Sequence, residues 1–102
     1  MIDETALSMM KPTAFLINTS RGALIDEKAL IEALQNKRIA GAGLDVQETE
    51  PPTEDNPLYT LDNVIMTPHM GWKGMETRQR LLQVVTDDVQ MFFKGTPINV
   101  VG

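Results

Sequence analysis

Four polar side chains stand just beyond short apolar runs of this chain. Arg21 follows Ala14-Phe15-Leu16-Ile17-Asn18, Asp45 and Glu50 end or follow the run 39–46, and His69 follows Val64-Ile65-Met66. Arginine carries a permanent planar positive charge, and histidine exchanges a proton near neutral pH. If three strand tips share one crevice, a guanidinium, two carboxylates and an imidazole meet there and can act together on one small molecule. Singly, each also suits an ordinary role. His69 suits a cap or a surface position, Arg21 a solvated turn, Asp45 a turn cap, and Glu50 an acidic loop shared with Glu48, Glu54 and Asp55. Trp72 suits packing, and the seven methionines read as core filler.

The elements that must hold these residues follow from local pattern. Residues 3–10 suit a short helix capped by Asp3 or Thr5 and stopped before Lys11-Pro12. The run 14–18 is apolar on both faces, as a strand inside a parallel sheet would be. Asp26 offers the next N-cap, Leu30, Ile31 and Leu34 recur at helical spacing to about Asn36, and Lys37 and Arg38 suit the helix end. Residues 39–46, with Gly41 and Gly43, read as a second buried strand. Residues 47–62 are acidic and hold Pro51, Pro52 and Pro57, so they form a loop, and 64–66 is a third strand halted by Thr67-Pro68. The longest helix runs from about Met75 to Phe93, with Leu81, Val85, Val89 and Phe92 as its apolar stripe, widened by Leu82 and Phe93. Strand, helix, strand, loop, strand, helix predicts an α/β fold: a partial Rossmann-like parallel sheet of about three strands with flanking helices. Ligands of such sheets bind beyond the carboxyl ends of the strands, where the four polar residues fall.

Composition limits the partners. The chain has 102 residues and a net charge of −5, enough for one domain and wrong in sign for nucleic acid. Cysteine is absent and His69 is the only histidine, which excludes a thiolate site, a disulfide framework and a multi-histidine metal site. No apolar run approaches a membrane span, so a cytoplasmic protein is expected.

Taken together, Met10-Lys11-Pro12, Ile17-Asn18-Thr19-Ser20-Arg21-Gly22, Gly43-Leu44-Asp45-Val46 with Glu50-Pro51, and Thr67-Pro68-His69 resemble the D-2-hydroxyacid dehydrogenase family. Its members include phosphoglycerate, glycerate and D-lactate dehydrogenases. The resemblance spans essentially the whole chain. It implies hydride transfer between NAD, or NADP, and a small 2-keto or 2-hydroxy acid. It implies Arg21 as the grip on the substrate carboxylate, His69 as the acid/base, and Glu50 as the carboxylate that orients it. Asp45 matches a contact to the nicotinamide, and Thr19, Ser20, Arg21, His69, Met70, Gly71 and Trp72 fall where family members also touch the cofactor.

Two family features are missing. The chain holds no G-x-G-x-x-G turn for the pyrophosphate and no substrate domain. Residues 1–102 are therefore expected to be the C-terminal portion of an NAD(P)-binding domain, inactive alone. A bare sheet edge and the apolar stripe of the last helix predict a homo-oligomer. The alternatives are a stand-alone structural or interaction module that retains the motifs, or a small nucleotide-binding domain without catalysis.

Overall fold

Asp3 accepts a hydrogen bond from the Ala6 N–H at 2.9 Å and so starts α1 (Glu4–Ser8) in the computed structural model, which describes residues 1–101. Asp26 does the same for the Ala29 N–H at 3.0 Å and starts α2 (Glu27–Gln35). Leu30, Ala33 and Leu34 recur on one face of α2 and are buried. Lys37 and Arg38 lie past the helix rather than in its last turn. Lys37 takes a left-handed φ of 53°, and the Arg38 N–H returns to the Ala33 carbonyl at 2.8 Å. The stop is thus a Schellman-type closure, the geometry usually given to glycine.

The strands β1 (Phe15–Asn18), β2 (Gly41–Leu44) and β3 (Val64–Met66) form one parallel sheet in the order β1-β2-β3. Register sets Leu16 beside Ala42 and Ala42 beside Val64; at the carboxyl end Asn18, Leu44 and Met66 align. Short 3₁₀ turns at Gly22–Leu24 and Pro57–Thr60 interrupt the connections, the second inside what the sequence predicts as an irregular loop. The chain divides into two compact units, Met1–Met70 and Gly71–Gly102.

The first unit has a core of Leu7, Leu16, Ile25, Leu30, Leu34, Ile39, Leu44 and Leu58 with small residues between. Leu16, Ala42 and Leu44 point into it from one face of the sheet. The opposite face is open: Phe15 and Ile17 are each 68% exposed and Ile65 is 75% exposed. The expectation that β1 is buried on both faces therefore fails on that side. Both helices of this unit contribute to the Leu16 core, and the other face carries only Phe15, Ile17, Gly41, Gly43 and Ile65. The methionine reading holds only in part, since Met10 and Met66 pack against the core. Met1, Met9, Met70 and Met75 are exposed, while leucine, isoleucine and alanine fill the core.

The second unit is built on α3 (Met75–Phe93), with the predicted bounds. None of its residues is buried, and Leu81, Leu82, Val85, Val89, Phe92 and Phe93 are exposed. Gly95 closes it at φ 74°, with the Thr96 N–H on the Met91 carbonyl at 3.1 Å. No helix among the described residues is long and apolar enough to cross a membrane.

Adjacent positions of β1 should respond very differently to truncation. Leu16→Ala is expected to cost about 2–5 kcal/mol by urea unfolding, because it empties a core position. Ile17→Ala should cost no more than about 1 kcal/mol, because its side chain is already in water. Equal costs would place the core on the wrong face.

Candidate active site

Each strand delivers its polar residue through a specific turn. At the end of β1, Asn18 is 6% exposed. Its Oδ1 accepts from the Ser20 N–H at 3.1 Å and its Nδ2 donates to the Arg21 carbonyl at 2.9 Å. This Asx-type closure fixes the turn that carries Thr19, Ser20 and Arg21. The Arg21 guanidinium bonds the Ser20 carbonyl at 2.7 Å and is exposed. The next residue, Gly22, abuts the segment after β2. A Cβ there would lie 1.9 Å from the Gln47 carbonyl oxygen, so only glycine permits this approach of the two loops.

Asp45 follows β2 and is 7% exposed. Its N–H donates to the Asn18 carbonyl at 2.9 Å. Its Oδ1 accepts from the Thr67 hydroxyl and, at 2.9 Å, from the Met70 N–H. The buried carboxylate thus ties down both sides of His69. The His69 N–H is shared between the Asp45 carbonyl at 2.9 Å and the Thr67 carbonyl at 3.0 Å, and its φ is 47°. This turn has two fixed flanks.

Glu50 reaches the imidazole from the loop after β2. Its Oε1 accepts from the Gln47 N–H at 3.1 Å, and its Oε2 lies 2.7 Å from His69 Nδ1. The hydrogen bond to the histidine and then the Gln47 bond lower the pKa of the Glu50 carboxyl; desolvation opposes them, and the nearby charges of His69 and, last, Arg21 add weaker lowering effects. Arg21 thus acts on Glu50 only as the weakest of these influences, and it does not line the cleft. Asp45, Glu50 and His69 share one open cleft of about 430 Å³, walled by Pro51, Pro52, Tyr59, Met66 and Pro68. Gly71 and Trp72 belong to the second unit, where the Arg78 guanidinium lies 4.7 Å from the centroid of the Trp72 ring. Trp72 is half exposed, which argues against the packing role its type suggests.

Several contributors have no single-residue signal. Thr67, which reads as a strand stop, is a hydrogen-bond donor to the Asp45 carboxylate. Tyr59 walls the cleft from a turn that the sequence leaves irregular. Asn18 is legible in principle, since asparagine before small polar residues is an Asx-turn signal. Among the described residues no group of three or more side chains is arranged to hold a metal.

A family model described as D-isomer specific 2-hydroxyacid dehydrogenase, NAD binding domain, matches residues 1–71. The chain belongs to this family. It is 48% identical over 102 residues to a glyoxylate reductase of Korarchaeum cryptofilum, covering 99% of this chain and 31% of that one. It is 47% identical over 103 residues to a glycerate dehydrogenase of Methylorubrum extorquens, covering 99% and 33%. Among solved structures, an acyclic imino acid reductase in complex with NADPH and D-arginine is similar at a TM-score of 0.79 and 41% identity, over 97% of this chain and 31% of that one. The chain thus spans about a third of the length of the curated relatives it matches.

Two outcomes test this geometry. Gly22→Ala is expected to push the two loops apart and destabilise the unit by about 1–3 kcal/mol, and NMR should then no longer detect the Glu50–His69 hydrogen bond. An intact hydrogen bond would show that the loops yield elsewhere. The second concerns pH. A carboxyl whose folded value lies below its unfolded one stabilises the fold above the unfolded value, and that gain fades as pH falls through the folded value. Carbon-detected titration should find Glu50 ionised at pH values where an ordinary glutamate is protonated, and His69→Ala should raise its midpoint.

Proposed function

We propose that residues 1–102 form the C-terminal portion of the NAD(P)-binding domain of an oxidoreductase that interconverts small 2-keto and 2-hydroxy acids. The observation that carries this reading is the 2.7 Å approach of Glu50 Oε2 to His69 Nδ1 beyond the strand tips, with Arg21 on the turn that follows β1. A fixed cation suits the acid's carboxylate, and an imidazole backed by a carboxylate suits proton exchange with the oxygen on the reacting carbon.

The cofactor end that these residues fit is the nicotinamide. The cleft opens at the carboxyl ends of the strands, with apolar walls at Met66 and Pro68 beside the Asp45 carboxylate. The grip on the pyrophosphate is outside this chain, which has no glycine-rich turn. When bound, the nicotinamide supplies a hydride to the carbonyl carbon or takes it back from the hydroxyl-bearing carbon. Arg21 holds the substrate carboxylate by paired hydrogen bonds. His69, with Nδ1 committed to Glu50, donates a proton from Nε2 to the carbonyl oxygen in reduction and recovers it in oxidation. Glu50 fixes the ring through its contact with Nδ1. Asp45 holds the turn that presents His69, and Thr19, Ser20, Met70, Gly71 and Trp72 border the cofactor.

The names of the relatives, glyoxylate reductase and glycerate dehydrogenase, favour two- and three-carbon acids. NAD is the cofactor of the family description, and the NADPH of the imino acid reductase supports NADP as the alternative. The open sheet face with Phe15, Ile17 and Ile65 supports a homo-oligomer. In an enzyme carrying this segment with a glycine-rich half and a substrate domain, His69→Ala should lower kcat for glyoxylate or hydroxypyruvate reduction by about 10²–10⁴-fold. Near-normal turnover would refute the assignment.

A further inference from the structure

The acidic loop that carries Glu50 is held by a residue outside the cleft. Glu27, in the first turn of α2, uses its two carboxylate oxygens on two distant points of that loop. Oε2 accepts from the Glu48 N–H at 2.9 Å, and Oε1 accepts from Asn56 Nδ2 at 2.9 Å. Asn56 is itself fixed, since its Oδ1 accepts from the N–H of the buried Leu58 at 2.9 Å. Gln47 Oε1 lies 3.4 Å from the same Asn56 amide, and Gly22 closes on the Gln47 backbone. Both ends of the segment 48–56 therefore converge on one carboxylate, and Glu50 sits between them.

Helix capping does not account for Glu27. Asp26 already caps α2 through the Ala29 N–H, and both Glu27 carboxylate oxygens bond the loop instead. Hydrogen bonds to a carboxylate are roughly twice as strong as neutral ones, and a loop fixed in advance spares the ordering entropy that Glu50 would otherwise face on meeting the imidazole. We propose that Glu27 is a positioning residue for the Glu50–His69 pair, acting through its hydrogen bonds to Glu48 and Asn56. This rests on the reading of that pair as the working groups of the site, but it can be tested without turnover.

The experiment follows the Glu50 carboxyl of the full chain by carbon-detected NMR titration in Glu27→Gln. The charged groups facing Glu50 are His69 and Arg21. Removing the Glu27 charge would by itself stabilise the Glu50 anion and lower its midpoint. Loss of positioning does the opposite, because it weakens the hydrogen bond with His69. The expected result is a rise in the Glu50 midpoint, with backbone order parameters in 48–55 falling from the rigid range near about 0.85 towards about 0.6. Glu32→Gln, on the same helix, should change neither. Asn56→Ser keeps an acceptor for the Leu58 N–H and removes the amide donor; it should move Glu50 in the same direction, by less. It also serves as the test if Glu27→Gln does not fold. An unchanged or lowered Glu50 midpoint in a folded variant overturns the proposal. A raised midpoint supports it, and if His69→Ala of the assembled enzyme nevertheless keeps near-normal turnover, the functional reading fails while the positioning role stands.

Discussion

Parallel pairing in one fixed register is the constraint on which the site depends. Because Asn18, Leu44 and Met66 align, the three chain segments leave the sheet side by side and meet within hydrogen-bond distance. The ladder continues past the strands, through the Asp45 N–H on the Asn18 carbonyl and the Thr67 N–H on the Leu44 carbonyl, both at 2.9 Å. A slip of one residue would turn Leu16 and Leu44 out of the core and Asp45 away from Thr67. Core and chemistry are therefore specified by the same pairing.

Built on that register, the site is a set of backbone anchors rather than a row of charges. Asp45 is buried where an unpaired carboxylate would be costly, and two donors from the turn around His69 offset that burial. Glu50 is exposed, so its place depends on the Gln47 bond and on the loop behind it. The two carboxylates differ accordingly. One is rigid because it is enclosed, the other because its loop is tethered at a distance.

Much of this is legible in the residues. Asp26 as a cap, the helical spacing of Leu30 and Leu34, and the long stripe of α3 follow from local rules that act over one or two turns. The expectation that Arg21, Glu50 and His69 gather at one end follows from the rule that open parallel sheets bind ligands beyond their strand tips. What escapes is non-local. Phe15 and Ile17 are the same kind of residue as Leu16, so composition alone cannot tell which face of β1 meets a neighbour. Glu27 bonds partners 21 and 29 residues away, and no spacing rule connects them. Gly22 reads as an ordinary turn glycine until the Gln47 backbone stands against it. The methionines mislead in part: Met10 and Met66 pack at the margin of the core, whereas its fully buried centre is closed by branched side chains and alanine.

The left-handed backbone at His69 also bears on how the position can evolve. With φ at 47°, β-branched side chains are penalised and others, such as Lys37 with its φ of 53°, take this backbone at some cost, whereas glycine, asparagine, aspartate and histidine are favoured. Of the favoured residues, histidine and aspartate alone carry a titratable group. The main chain thus favours few alternative proton carriers at this point before any substrate is considered, and most other titratable side chains would add backbone strain here.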